Sequence, residues 1–287
     1  MFVIHNPIAG ARKTGLLWAV VDRLTAHGIR VELAQTNERG DATRFAREAA
    51  GRGVRVVVAA GGDGTAAEVA SGISGTESRL GIIPLGTANV VATELGLPRA
   101  PDPIAAALAS DRTRALWPGV ARSDAGARMF VQMLGVGLDA RVVHTMPRRL
   151  KTCFGRHAYL LHTLSEMVRY PYAPVRVRID GREHEAGSVV VSKGRFYGGH
   201  YMLAPEADAS RRGFSVALFR RRGPGAVLMY GAALMANALP RAPGFDVLRS
   251  EEVEILPSFP AQADGDPAGS SPLVVEDARG PIPVLCC

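Results

Sequence analysis

A chain of 287 residues with 47% hydrophobic side chains can fold as two domains, each with a core of its own. Its net charge of +7 is uneven, with 16 Lys or Arg against 6 Asp or Glu in residues 141–222, an excess that suits an anionic partner. Three cysteines, two of them adjacent at 286 and 287, exclude a disulfide framework and predict a reducing, cytoplasmic setting, and no zinc-finger, RNA-recognition or basic-zipper pattern points to nucleic acid.

The opening MFVIHNPIAGARK has no charged stretch leading into a long apolar run, so it reads as a strand (2–6) and a turn rather than a signal peptide. Residues 16–27 have helical periodicity, 29–36 read as a strand, and Asp41 is placed to cap a helix over 42–50. VRVVVAA (54–60) is a third strand, 65–73 a helix and LGIIP (80–84) a fourth strand, with helices over 89–95 and 102–110. This alternation predicts an α/β domain with a parallel sheet flanked by helices, whose ligands collect at the carboxyl ends of the strands. From about residue 115 the pattern turns strand-rich, interrupted by a helical stretch over about 139–169 that Pro147 should break. VRVRID, SVVVSKG, FSVALFRR and VEILP are short strands between turn residues, and they predict a β-rich antiparallel sandwich. The expected domains are 1–118 and 119–280, with the last strand (281–287) returning to the first. AVLMYGAALMANAL (226–239) is too short to span a bilayer; a buried helix is expected in preference to one on a membrane surface.

The stretch AAGGDGTAAE (59–68) follows a buried strand and opens a helix. Gly61, Gly62 and Gly64 let the backbone approach a ligand, and successive N–H groups at a helix start favour phosphate. Asp63 beside a phosphate is repulsive unless a divalent cation lies between, so it suggests Mg²⁺ with a nucleotide. The alternative is a plain turn with Asp63 or Thr65 as helix cap. A second Gly-Thr turn, Pro84-Leu85-Gly86-Thr87-Ala88-Asn89, follows the next strand, Asn6 follows the first, and Thr36 ends the second. Neither GxxxxGK[ST] nor GxGxxG is present.

NPIAG, GGDGTAAEVASG, PLGTANVVATELGLP, Gly135-Val136-Gly137-Leu138-Asp139-Ala140 and Asp264-Gly265-Asp266, in this order, resemble the diacylglycerol-kinase catalytic family, which includes bacterial soluble lipid kinases and sphingosine and ceramide kinases. The resemblance implies an ATP-binding α/β domain, a lipid-binding β-sandwich and an active site between them. It assigns nucleotide contacts to Asn6, Thr36, Gly61, Gly62, Asp63, Gly64, Thr65, Glu68, Gly86 and Thr87. Asp63 and Asp139 match acids that help hold Mg²⁺, and Asp264 and Asp266 match the element supplying the catalytic carboxylate. The implied activity is transfer of the ATP γ-phosphate to a hydroxyl of diacylglycerol or a similar lipid, met at the membrane surface by a cytoplasmic protein; a homodimer stays open.

Three departures mark this chain. GTANVV lacks the acid of the family's GTAND, DGD stands for DGE, and Arg211-Arg212-Gly213 replaces an acidic stretch that holds a structural Mg²⁺. Arginine cannot ligate a cation, so an ion near Gly213 is expected to be absent or moved to Asp208. An NAD kinase shares GGDGT but carries a downstream Asn-Glu pair, and none follows here; a regulator that has lost catalysis is the second alternative. His144, His157 and His162 have poor metal spacing. Lys193-Gly194-Arg195 and Tyr197 to His200 read as a hairpin turn or a lipid entrance, and Arg220-Arg221-Arg222 as a solvated edge or a headgroup contact.

Overall fold

The computed structural model describes residues 1–10, 13–124, 126–146, 156–256 and 259–286. The expected break at Pro147 lies outside them. The chain divides into two units, one of Met1–Trp117 with Arg279–Cys287 and one of Pro118–Ala278.

The first unit runs β1 (Phe2–His5), α1 (Pro7–Gly10), α2 (Thr14–Ala26), β2 (Glu32–Gln35), α3 (Asp41–Gly51), β3 (Val56–Gly61), α4 (Asp63–Ile73), β4 (Arg79–Pro84), α5 (Val90–Glu94), α6 (Pro101–Ala109) and β5 (Thr113–Leu116). Its sheet has the order β2-β1-β3-β4-β20-β5, where β20 is Ile282–Leu285. All neighbours are parallel except β20 with β5. Val57, Val58, Ala59 and Ala60 of β3 are all buried, as expected of a central strand covered on both faces. One face packs Val3, Val58, Ile83 and Leu285 against Leu17, Val20 and Leu24 of α2 and Ile104 and Leu108 of α6. α3 and α4 pack closely because Gly72 has no side chain; a Cβ there would lie 2.5 Å from the Thr43 carbonyl oxygen. β2 is shorter than the β-branched pattern predicts, since it lies at the sheet edge and its register with β1 starts only at Phe2 opposite Glu32.

The second unit contains β6 (Gly119–Ser123), β7 (Gly126–Phe130), β8 (Met133–Val136), α7 (Leu138–Thr145), α8 (Arg156–Arg169), β9 (Val175–Ile179), β10 (Arg182–Ala186), β11 (Ser188–Ser192), β12 (Phe196–Tyr197), β13 (Tyr201–Met202), β14 (Phe214–Phe219), α9 (Pro224–Met235), β15 (Phe245–Ser250), β16 (Glu252–Ile255), β17 (Pro260–Ala263), β18 (Asp266–Ser270) and β19 (Leu273–Asp277). Two antiparallel sheets, β10-β9-β16-β19-β6-β7 and β15-β14-β11-β8-β17-β18, enclose one core. Val175, Val177, Val253 and Val275 from the first meet Leu134, Val136, Val189 and Val216 from the second. The fold is therefore an α/β unit with a mostly parallel sheet and an antiparallel β-sandwich.

The apolar run at 226–239 is not a buried helix. Of α9 only Tyr230 is buried, while Leu228 is 54% and Met235 64% exposed. A helix lying on the outside of a sheet covers it with one face only. Among the described residues no helix is long and apolar enough to cross a membrane.

Candidate functional site

The carboxyl edge of the parallel sheet brings the Gly-rich turns together. α4 starts directly after Gly62, whose backbone is extended, so its N-cap is Gly62 and neither Asp63 nor Thr65. Asp63 instead reaches across to the next turn. Its Oδ2 accepts the Val90 N–H and its Oδ1 the Val91 N–H, each at 3.0 Å, at the start of α5. One carboxylate thus ties GGDGT to PLGTAN, placing negative charge at a helix N-terminus where the backbone dipole favours it. Loss of hydration pushes the Asp63 carboxyl above the usual carboxylate range, with the Val91 and Val90 N–H groups pulling the other way.

The glycines at this junction answer to contact. A Cβ on Gly86 would lie 2.6 Å from the Gly62 Cα, and one on Gly61 would lie 2.4 Å from Thr65 Oγ1. Asn6 bridges the first strand to the same turn, with its Nδ2 donating to Thr65 Oγ1 at 3.1 Å and its Oδ1 accepting the Ile8 and Ala9 N–H groups. Thr36 is buried, its N–H bonded to the His5 carbonyl. Thr87 is exposed in its turn. Asn89 adopts φ 49° and donates to the Gly86 carbonyl at 2.7 Å, leaving its buried Oδ1 without a protein partner. Lys13, which no motif singles out, donates its Nζ to the Gly86 carbonyl at 3.0 Å and adds a cation to this edge. Burial, then the Arg99 charge, lowers its pKa.

Glu68 lies one turn into α4, and both its oxygens accept the Gly40 N–H, at 3.2 and 3.1 Å, so it supports the start of α3. Asp41 is not the cap of α3 either. Gly40 is the N-cap, with φ 89°, and Asp41 Oδ2 reaches back to the Asn37 and Glu38 N–H groups. The Asn37 N–H, the Arg44 guanidinium and the Glu38 N–H hold its carboxyl down from 3.8 to about 2. A depressed carboxyl contributes stability that is present above its unfolded pKa and lost as pH falls through the folded one. Melting temperatures recorded from pH 5 to pH 2 should therefore fall less for Asp41→Ala than for the parent protein, which loses this share below about pH 4.

In the second unit the chemistry gathers at the turn between β17 and β18. Asp264, at φ 50°, accepts three backbone N–H groups: Val131 at 2.7 Å on Oδ2, and Gln132 and Met133, each at 2.9 Å, on Oδ1. A carboxylate so filled holds the β7–β8 connection. Asp266 differs. It starts β18 with a side chain 31% exposed, and Arg128 is 3.7 Å away. Asp139, one residue into α7, is held by the Tyr197 hydroxyl on Oδ1 and by Gln262 Nε2 at 2.7 Å on Oδ2. Burial raises its pKa, against those two donors. Gln262 also accepts the Gly265 N–H at 2.8 Å, linking Asp139 to the turn that bears Asp264 and Asp266. Gly135 lies beneath, where a Cβ would come within 2.1 Å of Asp139 Oδ2. Gln262 and Tyr197 are functional neighbours that the motifs do not mark; Gln262's place two residues before Asp264 is the one sequence signal for it.

Matches to known proteins agree with a fold of an α/β unit and a β-sandwich. The model of the diacylglycerol kinase catalytic domain matches residues 1–119, and that of the YegS C-terminal NAD kinase beta sandwich-like domain matches residues 132–286. A probable lipid kinase YegS-like protein of Enterobacter sp. (strain 638) is 32% identical over 215 residues, 72% of this chain and 69% of that one. The chain belongs to the diacylglycerol kinase catalytic family. Lipid kinase YegS of Escherichia coli (strain K12) is 35% identical over 193 residues, 64% of this chain; the match spans 62% of the length of that relative. A diacylglycerol kinase from Bacillus anthracis str. Sterne shares the fold, with a TM-score of 0.70 at 19% identity over 100% of this chain and 96% of that one.

For the family's Mg²⁺ the donor sets are informative. Among the described residues no three His, Cys, Asp or Glu side chains cluster as a metal cage. Asp63 and Asp139 each have both oxygens engaged by protein donors. Near Gly213, where the resemblance implies acids holding an ion, the structure has the ammonium of Lys193. Its fully buried ammonium donates to the Gly213 carbonyl at 2.8 Å, the Arg211 carbonyl at 3.0 Å and Asp277 Oδ1 at 2.6 Å. Lys193 is therefore a buried, paired ammonium, while Tyr197 to His200 form the expected hairpin turn between β12 and β13. Asp208 is half-exposed and pairs with Ser210 and Arg211. His144 bonds the Ala261 carbonyl and His162 the Thr145 hydroxyl; the His157 side chain lies outside the described residues.

Proposed function

We propose that this protein is a lipid kinase, transferring the γ-phosphoryl group of ATP to a hydroxyl of diacylglycerol or a similar lipid at the cytoplasmic face of a membrane. The observation that carries the reading is the tie of GGDGT to PLGTAN through Asp63. The two turns approach as closely as Gly62 and Gly86 do, and with the Val90 and Val91 N–H groups held by Asp63 it is the first turn of α4 whose backbone N–H groups suit phosphate.

In this reading Asn6 and Thr65 fix the turn, and Lys13 supplies a cation toward the phosphates. Phosphoryl transfer needs in-line positioning and an acceptor for the hydroxyl proton. Asp266 is that acceptor, since both oxygens of Asp264 are already taken by backbone N–H groups, and Asp264 and Gln262 hold its turn. Bound Mg²⁺ would supply charge neutralisation for the transferred group; Asp63 and Asp139, whose oxygens are held by protein donors, would reach it at most through its waters.

The test is turnover with ATP and Mg²⁺ against a panel of diacylglycerol, sphingoid and ceramide acceptors, with NAD as a further arm. A phospholipid product is the expected result. Phosphorylated NAD would move the protein to the NAD kinases, and ATP binding without any product would make it a nucleotide-binding regulator.

A further inference from the structure

α9 has no charged residue in its twelve positions. Its inner side is fully used. Ala226, Met229, Ala233 and Leu234 pack over Met133, Val190, Ala217 and Phe245, and Val227 packs on Leu138, Val142 and Tyr170. Tyr230 is buried, its hydroxyl donating to the Gly244 carbonyl at 2.7 Å and accepting the Arg221 N–H.

The outer side is the anomaly. Gly225, Leu228, Ala232 and Met235 are all exposed and fall at i, i+3, i+7 and i+10, a single stripe along the helix. A helix on a protein surface ordinarily turns charged or polar residues to this side. α8 touches α9 and adds Leu164, 40% exposed, and Val168, 76% exposed, four residues apart. A patch of this kind marks an interaction site.

The charge around it selects the partner. Residues 209–245 contain six arginines and no Asp or Glu. Arg220, Arg221 and Arg222 stand directly before the helix. Arg220 pairs with Asp246 and Arg222 with Glu185 at 3.6 Å, both between half-exposed groups and so weakly held. Arg221 makes no ion pair with any described residue. A second copy of the chain would bring the same arginines against themselves, which disfavours self-association. An anionic bilayer offers hydrocarbon to the stripe and headgroup charge to its rim.

We propose that the outer stripe of α9, rimmed by Arg220, Arg221 and Arg222, docks this protein on an anionic lipid bilayer. The inference rests on the lipid-kinase reading for what is met there, and on the helix alone for where. The experiment is co-sedimentation of the full chain with phosphatidylcholine vesicles, with and without phosphatidylglycerol. The parent protein should bind the anionic vesicles, less so at high salt. Leu228→Glu with Met235→Glu should cut the vesicle-bound fraction at least about tenfold, and Arg221→Glu should weaken the preference for phosphatidylglycerol. Val274→Glu, at a 38% exposed position of β19, should change nothing. Met235→Glu alone covers the case in which the double variant does not fold, as judged by circular dichroism. Turnover of a short-chain diacylglycerol dispersed as monomers should survive the double substitution, while turnover in vesicles falls. Vesicle binding that depends on Leu228 and Met235 without turnover of any lipid would uphold the docking surface and sink the kinase reading. Unchanged vesicle binding by the double variant, no binding by the parent, or a concentration-dependent dimer that only the substitutions disrupt would each overturn the docking surface.

Discussion

Asp264→Asn is expected to lose stability and Asp266→Asn to lose turnover. The two acids are separated by one glycine, yet their surroundings are opposite. Asp264 receives three backbone N–H groups from Val131, Gln132 and Met133. Asparagine tolerates its φ of 50° at least as well as aspartate does, so the substitution isolates the carboxylate. It turns an NH₂ toward an N–H on one side and removes the charge from the other bonds, for a cost of about 2–4 kcal/mol. Asp266 instead has a partly exposed contact to Arg128 at 3.7 Å, worth under about 1 kcal/mol. Its asparagine variant should melt with the parent protein and turn over at least about 100-fold more slowly, the loss typical of a removed proton acceptor. Urea unfolding read beside initial rates separates the two. A stable, inactive Asp264→Asn protein next to an active Asp266→Asn protein would hand the acceptor role to Asp264.

That contrast shows where sequence pattern runs out. β-Branched runs alternating with helical periodicity disclosed the α/β unit, and short strands between turn residues disclosed the sandwich, because both patterns are local consequences of which faces are buried. The partner of a carboxylate is not local. Asp63 sits 27 residues before Val90, and Asp264 more than 130 residues after Val131, Gln132 and Met133. Nothing near Asp63 says that it ties two turns together, nor does anything near Glu68 say that it serves the start of α3; Asp41 was legible at that helix start, but not as the partner of the Asn37 and Glu38 N–H groups. The glycines of GGDGT were legible as glycines that something requires. The requirement at Gly61 and Gly86 proves to be Thr65 and the opposite backbone. The apolar helix misleads for a related reason. With no charged residue in α9 there is no polar stripe to mark its outer side, so its composition reads as burial.

The same limit applies to Lys193, whose replacement by methionine is the second large effect expected. Burial lowers the pKa of this ammonium, while Asp277 works to keep it charged. Two carbonyls, one carboxylate and the face of Phe214, 4.7 Å from Nζ, surround it completely. Asp277 Oδ2 in turn accepts the Gly213 N–H at 2.6 Å, so the segment around Gly213 is pinned to the end of β19 from both sides. Methionine fills a similar volume but leaves the buried Asp277 charge to the more distant Arg212 guanidinium, 3.7 Å away, and takes the ammonium donor from two carbonyls. Removing one partner of a buried pair costs about 3–5 kcal/mol, which for a unit of this size lowers the melting temperature by roughly 10 °C. Asp277→Asn added to Lys193→Met should recover part of that loss, because the orphaned charge goes while an acceptor for the Gly213 N–H stays. If the ammonium does here what an ion does elsewhere in the family, the melting temperature of the nucleotide-free protein should be the same in EDTA and in Mg²⁺. A marked drop in EDTA, or a Lys193→Met protein as stable as its parent, would show that this segment is held by something other than its own lysine.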